Sequence, residues 1–199
     1  MSSSSSSPDA DPGLPRLANL LGAWSLAVSD RITAAAAAAA GRGGQAPAAL
    51  VALDQFAEGG TIEQLSAVLG LTHSATVRLV DALQADGHVV RRGRTADRRA
   101  VALRLTRSGR AAAQRVIQAR RQAVQETLGA LTEPQRRALT AMAERLTGDL
   151  ATLRLEQRAA GEVPAGGWLC RLCDFQACGR PEGRCPAAGR AAIARGSAG

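Results

Sequence analysis

Lysine is absent from the 199 residues, so all 25 basic side chains are arginine. That single absence excludes P-loop phosphate binding, Schiff-base chemistry and the kinase lysine together. Histidine is scarce: His73 and His88 are the two in the chain. Neither lies near a Gly-x-Ser-x-Gly turn or among the cysteines, so a Ser-His-Asp or Cys-His device has no footing, and no enzyme is expected. The longest apolar run, Ala34 to Ala40, is far short of the roughly 20 residues that cross a bilayer. The Ser-rich start has no basic, apolar leader. These absences predict a soluble, cytoplasmic protein without a membrane partner.

What is present is helical punctuation. Residues 1–13 are Ser-rich with Pro, Asp and Gly and nothing apolar to bury, which predicts disorder. Leu17, Leu20, Leu21, Trp24, Val28 and Ile32 recur at helical spacing and run to the Gly41–Gly44 breaker. A second helix follows Pro47 and stops at Gly59-Gly60. Thr61 caps a third, which ends at Gly70, and Thr72 caps a fourth from His73 to about Asp86. Two helices joined by so short a turn form a helix-turn-helix. In the fourth, Val77, Val80 and Leu83 are expected on the inner face, with His73, Ser74, Thr76 and Arg78 turned outward.

The period changes after Gly87. Val101, Leu103 and Leu105 alternate with Ala102 and Arg104, as in a strand, and pair with His88–Arg92 across an Arg-rich turn. A hairpin directly after a helix-turn-helix is a wing. Two further helices, about Ser108–Leu128 and Glu133–Glu156, close the chain, the latter with a stripe of Leu139, Met142, Leu146, Leu150 and Leu153. The predicted fold is mainly α with a small β-hairpin wing (α+β). Three long amphipathic helices around a small head bury their stripes most economically in a symmetric homodimer.

Charge is concentrated on the hairpin. From His88 to Arg110 there are eight Arg against Asp97 alone, a local surplus of seven in a chain of net charge +8. A phosphate backbone is the expected partner there, with a solvated arginine face as the bland alternative. The candidate DNA-binding residues are Thr72, His73, Ser74, Thr76 and Arg78 at the helix start, and Arg91, Arg92, Arg94, Asp97, Arg98 and Arg99 along the wing. An ion pair to Asp81 competes for Arg78.

These residues carry a resemblance. Leu65-Ser66-x-x-Leu69-Gly70-Leu71-Thr72-x-Ser74-x-Thr76-Val77-Arg78-Leu79-Val80-Asp81-x-Leu83, then Gly87-His88-Val89-Val90-Arg91-Arg92, resembles a MarR-family transcriptional regulator. Asp97-Arg98-Arg99-Ala100-Val101-Ala102-Leu103-Arg104-Leu105-Thr106-x-x-Gly109 is similar to that family's wing pattern. The resemblance spans about Leu14 to Arg158. It implies a winged-helix homodimer that commonly represses transcription; independently of the family, a two-fold dimer with one reading helix per subunit is expected to prefer a pseudopalindromic double-stranded DNA operator. Release would come from a small-molecule effector or a metal or redox signal. It also implies that Asp97 braces Arg99 at the wing tip, with Arg94, Arg98 and Arg99 near the minor groove. The wing turn lacks the proline often found there, and the first helix holds no cysteine, so peroxide sensing by that route is not expected.

Beyond residues 14–160 the reading places a linker at 161–167, a four-cysteine tail at 168–186 and an extension at 187–199. Cys170, Cys173, Cys178 and Cys185 fall within 16 residues in the spacing Cys-x2-Cys-x4-Cys-x6-Cys. Zinc in a knuckle-like site fits best; an iron-sulfur cluster, disulfides and free redox thiols stay open. Trp168 and Phe175 are expected to cover the centre. Two other functions stand beside the DNA-binding one: an RNA or single-strand binder using the tail, and a thiol-redox enzyme using Cys170 and Cys173.

Overall fold

The computed structural model describes residues 12–94, 97–162 and 166–196, without the side chains of residues 94, 97–101 and 192–196. Seven helices and one hairpin follow in order: α1 Leu14–Ala40, α2 Ala46–Gln55, α3 Ile62–Leu69, α4 His73–Ala85, β1 Val89–Arg94, β2 Asp97–Leu105, α5 Arg107–Leu128, α6 Glu133–Ala159 and α7 Pro186–Gly196. The punctuation explains most boundaries. α1 ends where Gly41 takes the left-handed conformation at φ 70°. Thr61 and Gln64 close a capping box on α3, and Thr72 caps α4 by accepting from the Ala75 amide at 3.2 Å. α2 starts one residue before Pro47 and ends at Gln55, ahead of the glycines.

The core lies between α1, α2, α3, α4, α5 and the base of the hairpin. Leu50, Leu53, Leu65, Leu69, Val80, Leu83, Val89, Leu103 and Val116 are fully buried. The antiparallel register puts Val89 opposite Leu105 and Arg91 opposite Leu103, with an irregularity at Gly93/Arg94. Gly59 and Gly60, expected only to stop a helix, also add to the wing. The Gly59 amide donates to the Leu103 carbonyl at 2.9 Å and the Leu103 amide to the Gly60 carbonyl at 2.8 Å. The wing is thereby tied to the α2–α3 connection on its inner edge.

Two apolar stripes stay uncovered. On α1, Leu17, Leu20, Leu21 and Trp24 are 44–52% exposed, and on α6, Met142, Leu146, Leu150 and Leu153 are 51–55% exposed. Helix α1 packs along α5, whereas α6 finds its main partner in α7. Among the described residues no helix is long and apolar enough to cross a membrane.

The last segment departs from expectation. Gly167 and residues read as a separate tail lie on the core, residues 163–165 of the expected linker lie outside the described residues, and the extension is helical through Gly196 in α7. The Trp168 amide donates to the Val68 carbonyl at 2.8 Å, and Trp168 and Leu172 pack against the main core. An appendage seen as separate in sequence is part of the globule. Much of the predicted disordered N-terminus lies outside the described residues.

Candidate functional site

The start of α4 and the hairpin both expose basic residues, Arg78 on the helix and Arg92 and Arg104 on the strands. His73 and Ser74 lie exposed on the first turn of α4, with Arg78 exposed one turn later. Thr72, the N-cap, is exposed as well, and its hydroxyl lies 3.3 Å from Ser74 Oγ. The positive end of the helix dipole lies at this first turn, an arrangement suited to phosphate, although Thr72 already takes the Ala75 amide.

Thr76 is a correction. It is 0% exposed, and Val77 beside it is the half-buried residue. Ser66 Oγ donates to Thr76 Oγ1 at 2.9 Å, and Thr76 Oγ1 donates to the Thr72 carbonyl at 3.0 Å. Thr76 therefore ties α3 to α4 and cannot reach a base edge. The short turn brings α3 so close that the face holding Val80 and Leu83 extends to position 76, where the crowded space suits a small hydrogen-bonding side chain.

The basic residues divide by partner. Arg91 Nη1 meets Asp81 Oδ1 at 2.7 Å and donates to Gln84 Oε1 at 3.0 Å, so it braces the wing against α4. Arg110 pairs with Glu58 at 2.8 Å. With Asp81 turned to Arg91, no ion pair joins it to Arg78 among the described residues. Arg78, Arg92, Arg104 and Arg107 likewise have no carboxylate partner among the described residues. Sequence reasoning had not singled out Arg104 or Arg107 as contacts, although both lay inside the counted arginine surplus. The side chains of Arg94, Asp97, Arg98 and Arg99, the expected wing tip, lie outside the described residues; their backbone belongs to β1 and β2.

The wing root is pinned by hydroxyls. Thr106 Oγ1 donates to the Gly87 carbonyl at 2.7 Å and accepts from the Gly109 amide at 3.0 Å, while Ser108 Oγ donates to the same Gly87 carbonyl at 2.9 Å. His88 Nδ1 lies 3.3 Å from Ser108 Oγ. Behind α4, the Arg42 guanidinium grips Asp86 through Nε at 2.6 Å and Nη2 at 2.9 Å. That hydrogen-bonded pair holds the Asp86 carboxyl below the usual range and raises Arg42.

The cysteine segment forms a second feature, at the C-terminal end of α3. Three of the chain's four aromatic residues meet there: Phe56 stands edge-on to Trp168 at 5.5 Å and to Phe175 at 4.6 Å. Arg180 covers the Phe175 ring at 4.3 Å. The scarcity of aromatics was the one sequence signal that could have found Phe56 as the dock. Trp168 and Phe175 thus dock the tail on Phe56, at the end of α2.

All four cysteines are free thiols, with Cys185 buried and the others half-buried. The thiols of Cys170 and Cys173 lie close enough to set each other's acidity. Hydrogen bonding from Cys170, aided by Arg120 and Arg180 against the cost of burial, brings Cys173 down to about 6. The same contact, with burial, pushes Cys170 up, and burial together with Cys185 pushes Cys178 up to about 11. Among the described residues no three His, Cys, Asp or Glu side chains converge tightly enough to hold a metal ion. A cleft of about 260 Å³ opens beside this segment, between α6 and α7, lined by Arg154, Arg158, Arg180, Trp168 and Cys170.

The MarR family model matches residues 41–100, from the turn after α1 into β2. Among solved structures, YusO from Bacillus subtilis is similar at 19% identity with a TM-score of 0.61, covering 70% of this chain and 97% of that one. Rv2887, a MarR family protein of Mycobacterium tuberculosis, is similar in its complex with DNA at 26% identity, TM-score 0.52, over 69% of this chain and 98% of that one. Its complex with salicylic acid matches at 28% identity, TM-score 0.52, over 69% and 97%. No curated protein matches the chain in sequence.

Proposed function

We propose that the chain is a MarR-family transcriptional regulator that binds duplex DNA sequence-specifically as a homodimer, a reading supported by the MarR family model's match to residues 41–100. One observation carries the reading. The exposed start of α4, with Arg78 free of Asp81, is joined through Arg91 to a hairpin that exposes Arg92 and Arg104 on its other face. A helix end for the major groove and a cationic strand pair beside it is the geometry by which winged helices dock.

The exposed stripes on α1 and α6 supply the dimer surface. Isologous pairing of such faces orients two α4 helices about a two-fold axis, so the operator is a pseudopalindrome. Rv2887 has been solved with DNA and with salicylic acid; in our reading this chain binds an operator as a repressor and releases it on a small ligand, or on a metal or redox signal. The arginine-lined cleft beside α6 suits an anionic effector. No catalytic role is assigned.

Selection of binders from a random duplex library at fixed salt tests the proposal, followed by competition with single-stranded RNA. The expected winner is an inverted repeat with half-sites roughly 10 base pairs apart, bound by a two-chain species. Enrichment of no duplex, or equal competition by the RNA, overturns it.

A further inference from the structure

We propose that Cys170, Cys173, Cys178 and Cys185 form a zinc site whose loading fastens the DNA-reading head to helices α5 and α6. From Gly166 to Cys185 the chain makes only turns, among them Cys173 amide to Cys170 carbonyl at 2.9 Å and Arg184 amide to Gly179 carbonyl at 2.8 Å. Three of its large apolar side chains, Trp168, Leu172 and Phe175, are spent on the core and on Phe56, and Leu169 lines the cleft beside α6 and α7. A segment this short, with those apolar groups engaged elsewhere, has no hydrophobic interior to hold its turns. Its thiols are free and near enough to act on one another, Cys170 on Cys173 and Cys178 on Cys185, with Cys185 buried and Cys178 Sγ donating to the Phe175 carbonyl at 3.5 Å.

The donor chemistry selects the ion. Nearby carboxylates are engaged elsewhere, Asp174 with Arg121 and Glu182 with Arg184, both at 3.6 Å. Four soft thiolates and no oxygen donor match tetrahedral zinc. Each thiol gives up its proton on ligation, without change of oxidation state, and the resulting centre carries two negative charges. Arg120 and Arg180 already stand beside Cys173 to meet that charge. Because no three ligands converge tightly enough on one point, the ion must draw the Cys178–Cys185 loop toward the Cys170–Cys173 turn.

That tightening has a mechanical address. The segment holds the end of α3 through the Trp168–Val68 hydrogen bond, α2 through Phe56 and the Gln55 side chain, α5 through Arg121, and α6 through Arg154, which donates to the Gly167 carbonyl. A rigid centre in the middle of these four anchors turns a soft contact into a brace between head and dimerisation helices.

The test uses the full chain with Trp24→Phe, which leaves Trp168 as the only tryptophan. Metal is removed with a chelator under reducing conditions, and zinc chloride is titrated back. We expect an end point of one zinc per chain, loss of reactivity of all four thiols toward a thiol reagent, a shift in Trp168 emission, and slower hydrogen exchange at the Trp168 amide. The Cys178→Ser/Cys185→Ser double variant should bind zinc more than about 100-fold more weakly, exceeding the loss typical of changes around a ligand shell, while keeping its helical circular dichroism. Cobalt substituted into the unaltered chain should show thiolate charge transfer and tetrahedral visible bands, a readout that needs no variant. Thiols that stay reactive with zinc present, disulfides in the reduced preparation, or an iron- and sulfide-containing chromophore in the isolated protein overturn the proposal. None of these measurements depends on operator binding.

Discussion

Gly70 and Gly167 meet backbone to backbone. Gly70 ends α3 at φ 66°, Gly167 has φ 72°, and a Cβ on either would overlap the other's main chain. This contact lets the cysteine segment reach the Val68 carbonyl. Gly167→Ala adds a left-handed penalty of about 1–2 kcal/mol plus the clash, and should lift Trp168 off α3. Lower melting temperature and red-shifted Trp168 fluorescence, with the helix content of α1–α5 kept, check this.

Thr76 should behave as a structural residue. Thr76→Val keeps the shape but removes the hydroxyl between Ser66 and the Thr72 carbonyl. A loss of about 1 kcal/mol is expected from a buried hydrogen bond, with operator sequence preference unchanged. Urea unfolding and binding selection on the variant report the two separately. An altered consensus without a loss of stability would return Thr76 to the base-reading set.

The arginines of the interface should separate by their ion pairs. Arg92→Ala is expected to lower the dependence of DNA affinity on salt by about one phosphate contact. Arg91→Ala releases Asp81 and loosens the wing, so it should lower stability while changing the salt slope less. Arg78→Ala, on the helix without a carboxylate partner, should cost about 1–3 kcal/mol if it reads a guanine. Fluorescence anisotropy over a salt series measures all three.

Asp86 and Arg42 give stability a sign with pH. Asp86 titrates below its ordinary value because Arg42 hydrogen-bonds the ionised form. Its contribution is fully present above the unfolded carboxylate value near about 3.9 and disappears as pH falls through the depressed folded value. Arg42→Ala should flatten that limb of the melting-temperature profile between pH 5 and pH 3, taken as rough bounds. The effect is small, because both groups are exposed.

The uncovered stripes predict assembly. Leu146→Asp combined with Leu20→Asp puts carboxylates into both apolar faces, where burial without a partner is costly. Sedimentation should move from two chains to one, and operator affinity should fall with it. A variant that stays dimeric would place the interface elsewhere.

Helix limits, caps and the wing were legible because each is written in neighbouring residues: Thr61 with Gln64, Thr72 with Ala75, Gly41 after the alanine tract. The exposed basic residues were legible too, since charge survives folding wherever it stays exposed. Local pattern could not separate Thr76 from Val77, which are 100° apart on a helix, a margin that depends on how closely α3 presses.

The sequence alone determined a winged helix-turn-helix with an arginine-rich hairpin and a cluster of four thiols. Tertiary structure alone decided that Phe56 docks Trp168 and Phe175, that Asp81 is taken by Arg91, and that the tail braces the head rather than trailing from it. The reason is physical: caps and periods act within one or two turns, whereas these contacts join residues far apart in the chain, and shape and burial choose among partners that composition leaves equal.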